Sequence, residues 1–161
     1  MTAGASYLAG GDLARAEAEL NKCLARDPES IWAHHYLGVC CFRLKEPVRA
    51  VAAFSASAAL APHAAWCVHN RGLAYAEAEQ WEAALADFDQ ALALDPVLAA
   101  AFLGQATVHH RTGRHDEALA DPRKAAAGGV PLPDVKYREA VVLNAMGVAS
   151  QRLPASGRWF T

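Results

Sequence analysis

The sequence predicts an all-α solenoid built from helix–turn–helix repeats. The stretch AWCVHNRGLAYAEAEQWEAALADFDQALALDPVL, Ala65 to Leu98, finds itself again when shifted by 34 residues. Four landmarks keep that period across three copies: Gly72 falls on Gly38 and Gly4, Ala84 on Ala50 and Ala16, Phe88 on Phe54 and Leu20, and Pro96 on Pro62 and Pro28. Inside each copy the apolar residues recur at helical spacing on two stretches, split by a short turn and closed by a proline that cannot continue a helix.

Taken in order, residues 2–9 form a short first helix ended by Gly10-Gly11. The period calls for about four more residues before Met1, so the first repeat is expected to be clipped. Asp12 is an N-cap for the next helix, Leu13 to Arg26, whose Leu13, Ala16, Leu20 and Cys23 face inward and which Asp27-Pro28 stops. In the second copy Ser30 is the N-cap of a helix running to about Leu44, packed through Leu37, Gly38 and Cys41. The following helix starts at Glu46-Pro47, where a proline in the first turn loses no hydrogen bond. Its Ala50, Phe54 and Ser57 pack inward.

The third copy has helices over Ala65–Ala78 and Trp81–Leu94. Gly72, Tyr75, Trp81, Ala84, Phe88 and Ala91 form its core, while Asp87 and Asp89 fall on the solvated outer face. In the fourth copy Phe102, Ala106, Gly113 and Ala118 stay in phase, but Pro122 replaces the aromatic, which predicts a kink or break near Ala118–Pro122. A last helix over Asp134–Arg152 covers the end of the array, and the tail Pro154–Thr161 carries Trp159 and Phe160.

A 34-residue helix–turn–helix period with small residues, an aromatic and a closing proline at fixed places resembles the tetratricopeptide repeat (TPR) family. The resemblance covers residues 1–130 and implies a right-handed superhelix: a clipped repeat at 1–30, repeats at 31–64 and 65–98, and a degenerate one at 99–130. Residues 131–153 are then a C-terminal capping helix or a degraded fifth repeat, and residues 154–161 a tail. It implies a binding scaffold with a peptide or protein partner, no cofactor and no chemistry of its own.

The bulk numbers exclude several classes. The 161 residues carry 15 Lys+Arg against 17 Asp+Glu, a formal charge of −2, which is no footprint for nucleic acid or an anionic membrane. No run of 18 apolar residues exists, and the N-terminus lacks a basic start with a long apolar stretch, so neither a membrane span nor a secretory signal is expected. Cys23, Cys40, Cys41 and Cys67 show no CxxC spacing and are read as reduced thiols of a cytoplasmic protein.

In the TPR arrangement the first helices of successive repeats line a concave groove. The side opposite their core residues carries Trp32, His35, Tyr36, Val39 and Phe42 in the second repeat. It carries Trp66, His69, Asn70 and Leu73 in the third, and Leu103, Thr107 and His110 in the fourth. This aromatic, aliphatic lining with little fixed charge suits a peptide segment anchored by its own apolar side chains. Asn70 resembles the asparagine that some TPR proteins direct at a peptide backbone, since an amide both donates and accepts. Tyr36 and Gly104 stand at the equivalent places, so there is no ladder of asparagines. The carboxylate clamp of some TPR domains is not expected, because no Lys or Arg cluster flanks Asn70.

Bland readings stand beside these. Trp32 and Trp66 can simply cover the adjacent repeat, and Asn70 can be a solvated side chain. The seven histidines and four cysteines match no zinc spacing, so no metal site is expected. Cys67 and His69 lie two apart on one helix and point in different directions, so they are no nucleophile–base pair. Besides a groove-binding adaptor, the sequence leaves open a TPR section of a larger, for example kinase-linked, signalling protein. It also leaves open homo-oligomerisation through the clipped first repeat or the C-terminal tail.

Overall fold

A computed structural model describes residues 3–114 and 116–118. Among the described residues the α-helices are α1 Ala3–Ala9, α2 Leu13–Arg26, α3 Ile31–Arg43, α4 Pro47–Leu60, α5 Ala65–Glu77, α6 Trp81–Leu94 and α7 Ala99–Arg111. The Pro122 kink, the helix expected at 134–152 and the tail from 154 lie outside the described residues.

The turn inside each repeat recurs with the 34-residue period. Gly11, Lys45, Glu79 and Gly113 all adopt positive φ, at 82°, 61°, 58° and 76°. Each donates its N–H three residues back, and the residue after each donates five back, as in Lys45 N–H to Phe42 O (3.1 Å) and Glu46 N–H to Cys41 O (3.0 Å). This is the Schellman end of a helix, which satisfies two otherwise orphaned carbonyls and requires one left-handed residue. At the helix starts Asp12 accepts from the Arg15 N–H as expected, whereas Ser30 occupies the N-cap position without a side-chain cap bond.

Within a repeat the two helices meet through a glycine on the first and a large side chain sixteen residues later on the second. A β-carbon at Gly4 would lie 2.6 Å from Leu20 Cγ, one at Gly38 2.6 Å from Phe54 Cδ1, and one at Gly72 2.9 Å from Phe88 Cε1. The small residue therefore lets the backbone approach a large side chain that fills the space beside it. Around these contacts lie the buried Ala16, Ala50, Ala84 and Ala91 and the buried cysteines Cys40, Cys41 and Cys67. Tyr75 and Trp81 pack on this core half-buried.

One expectation fails here. Asp87 does not face solvent: it is 5 % exposed. The Arg71 guanidinium on α5 reaches across and donates two bonds of 2.7 Å to its carboxylate, so the charge is paired as it is buried. Asp89 is exposed, and accepts from Gln105 Nε2 at 2.6 Å, tying α7 to α6.

First helices touch across repeats, α1 with α3 and α5 with α7. The second helices α2 and α4 are joined by the long Arg49 side chain, which pairs with Glu17. The first helices therefore lie on the tighter, inner side of the array. α1 has 7 residues where α3, α5 and α7 have 13. A pocket of about 290 Å³ opens at its N-terminal end against Lys22, Cys23 and Arg26 of α2.

Candidate binding face on the inner helices

Trp32, His35 and Tyr36 stand at the start of α3, and Trp66 stands one period later at the start of α5. Trp32 and Trp66 stack with centroids 5.0 Å apart and planes 7° from parallel. α3 and α5 both pack on α4, which holds the two indoles beside each other. Such a pair contributes about 0.5–1.5 kcal/mol beyond burial. Tyr36 lies one turn along from Trp32, at 6.1 Å and 28°. Trp32 keeps 55 % of its surface exposed, so an indole is held in place at the face of the molecule.

His35 sits edge-on to both indoles, 4.7 Å from Trp66 at 87° and 6.1 Å from Trp32 at 85°. Beneath it lies Phe54 of α4, 5.7 Å away at 50°. One period on, His69 lies 5.7 Å from Phe88 at 47°, the same arrangement repeated. The two histidines differ in their polar partners. His69 Nδ1 is 3.3 Å from Asn70 Oδ1, and the Ala100 backbone also bonds its ring. His35 Nδ1 is buried with no hydrogen-bond partner. Burial pushes both histidines below the ordinary imidazole range; at His69 the Asn70 and Ala100 contacts partly oppose this.

The remaining residues of the expected lining are spread out. Val39 and Phe42 turn half-buried against Cys41, Ala50 and Phe54. Leu73 packs on the core of the third repeat, and Leu103 on Ala106 and Ala118. Thr107 is exposed and donates its hydroxyl to the Leu103 carbonyl at 2.8 Å, the usual back-bond of a threonine inside a helix. His110 is half-buried in the last turn of α7. The structure thus gathers Trp32, His35, Tyr36 and Trp66 into one cluster and leaves Leu103, Thr107 and His110 on a separate helix. Phe54 and Phe88, read from the sequence as core, also form the floor under the two histidines. The shared 34-residue offset of each His–Phe pair was the available signal for that role.

The face offers little reactive chemistry. Burial pushes the Cys40, Cys41 and Cys67 thiols up, away from the reactive thiolate. Cys40 Sγ donates to the Leu13 carbonyl at 3.3 Å, and Cys67 Sγ lies 3.1 Å from Ser57 Oγ, so both sulfurs are engaged in packing. Among the described residues no three His, Cys, Asp or Glu side chains converge as a metal site, and no helix is long and apolar enough to cross a membrane.

The sequence profile of the tetratricopeptide repeat matches residues 1–65 and 69–131. No curated protein sequence matches. Among solved structures, a crystal structure of MamA superposes with a TM-score of 0.74 at 21 % identity, over 93 % of this chain and 88 % of that one, a likeness that speaks to the fold alone. MamA residues 41 to the end from Desulfovibrio magneticus RS-1 superposes with a TM-score of 0.72 at 26 % identity, over 77 % of this chain and 70 % of that one.

Proposed function

The chain belongs to the tetratricopeptide repeat family, whose members serve as protein-interaction scaffolds, and from that premise we propose that it is a non-catalytic, cytoplasmic adaptor that holds a peptide or protein segment against its inner helices. The observation that carries this reading is the ring cluster around Trp32. An indole 55 % exposed, yet stacked on Trp66, is an ordered apolar surface still more than half in water. Covering it returns about 25 cal/mol for each Å² removed from solvent, with little rotamer entropy left to lose. Asn70, half-buried beside the cluster, supplies an amide for a partner's backbone.

Replacing Trp32 tests this cleanly, because its side chain is more in solvent than in the core. Affinity capture from native lysate, with Trp32→Ala beside the wild-type chain, is expected to lose a specific partner while helical content stays the same. Retention of every partner by Trp32→Ala would count against the inner face.

A second reading, self-association through the first repeat, is favoured by the pocket at the start of α1. It predicts a light-scattering mass that rises with concentration and falls when Lys22 and Arg26 in that pocket are changed to Glu.

A further inference from the structure

His35 is wedged among four rings of the inner face. Its ring stands perpendicular to the two parallel indoles, 4.7 Å from Trp66 and 6.1 Å from Trp32, with Tyr36 at 5.4 Å and Phe54 at 5.7 Å. A neutral imidazole can occupy this place, since it is an aromatic among aromatics and only one of its nitrogens need carry a proton. An imidazolium cannot occupy it so well. Nδ1 is buried without an acceptor, and a protonated Nδ1 would bury an N–H and half a positive charge with nothing to receive them.

No counter-charge stands ready. The elements packed on His35 present Phe54 from α4 and Trp66 from α5, and its own helix presents Trp32 and Tyr36. The neighbouring histidine, His69, is engaged with Asn70 and the Ala100 backbone one repeat away. Burial lowers the affinity of His35 for its second proton. Attraction of an imidazolium to an indole face works the other way, by about 0.5–2 kcal/mol at a half-buried site, but it gives the buried Nδ1–H no acceptor. The relief open to a protonated His35 is outward movement, since the ring is half-buried. Because the ring stands edge-on to both indoles, its movement disturbs the Trp32–Trp66 stack.

We propose that His35 is a proton-operated wedge of the inner face, whose protonation parts the Trp32–Trp66 stack and dismantles the ring platform. The meaning of this for partner release rests on the reading of that face as a binding surface; the movement itself does not. The folded chain takes this proton less readily than the unfolded chain does. The neutral platform is therefore intact above the ordinary histidine range, about pH 6.5, and stability is lost as pH falls from there to the folded midpoint.

The test needs no partner. The exciton signal of the indole pair is read as the difference between circular dichroism spectra of the wild-type chain and Trp32→Phe, and the His35 ring is followed in parallel by NMR. The signal is expected to fall by at least half as His35 titrates, with a shared midpoint below the ordinary histidine value of about 6.5, and to be insensitive to pH in His35→Gln. An exciton signal unchanged through the His35 titration, or one lost equally in His35→Gln, overturns the proposal. Should His35→Gln not fold, the wild-type NMR titration decides alone: a His35 midpoint at or above that of a free histidine peptide overturns it. Partner capture at neutral pH is a separate readout, so the switch and the binding face can fail independently.

Discussion

Gly104 of α7 has no side chain because Phe88 of α6 occupies the place where one would be. A β-carbon at Gly104 would lie 2.6 Å from Phe88 Cε1 and 2.8 Å from Cε2. The same ring faces Gly72 of α5, so Phe88 is gripped between the first helices of two consecutive repeats. Phe88 is fully buried.

The consequence is a ranked pair of substitutions. Alanine in a helix interior ordinarily gains about 1 kcal/mol over glycine. At Gly104 overpacking of the ring, about 1–3 kcal/mol, exceeds that gain. Gly104→Ala is therefore expected to lower the urea midpoint, and more than Gly72→Ala, whose contacts run from 2.9 to 3.2 Å. A stabilised Gly104→Ala would show that the ring has room to shift.

Glu79 is a left-handed residue where the first and fourth repeats use Gly11 and Gly113. The left-handed conformation costs a residue with a β-carbon about 1–2 kcal/mol, and the extra freedom of glycine in the unfolded chain returns about 0.4–1 kcal/mol of that. Glu79→Gly is expected to raise the unfolding free energy by about 0.5–1 kcal/mol, measured by urea denaturation. Lys45→Gly should gain less, because Lys45 Nζ also pairs with Glu77 at 2.9 Å.

The Arg71–Asp87 pair couples two helices across a partly closed interior, with side chains 23 % and 7 % exposed. Removing one partner strands the other, so Asp87→Ala is expected to cost about 3 kcal/mol. The second repeat fills the two equivalent positions with Leu37 and Ala53. The double change Arg71→Leu with Asp87→Ala should therefore recover most of that loss. Additive losses in a double-mutant cycle would contradict the pairing.

These residues mark how far the sequence could be read. Helices α2 and α6 were legible at both ends, because an apolar period met a turn and a proline at a fixed spacing. Asp87 was not, because its partner stands sixteen residues away on another helix, beyond any rule for one helix face. Comparison of copies held the clue: Arg71 and Asp87 replace an apolar pair together. The aromatic face was legible as a set of ring-bearing positions. The stack of Trp32 on Trp66 and the wedging of His35 were not, since both depend on how far apart successive helices stand.

A partner lying along the inner helices would be caught by photo-crosslinking inside native cells. A benzophenone amino acid placed at Trp32, on the inner face, is compared with one at Val48, which is 72 % exposed on α4. The account predicts discrete higher-mass adducts from position 32 and none of these from position 48. The same adducts from both positions, or adducts from position 48 alone, would contradict it.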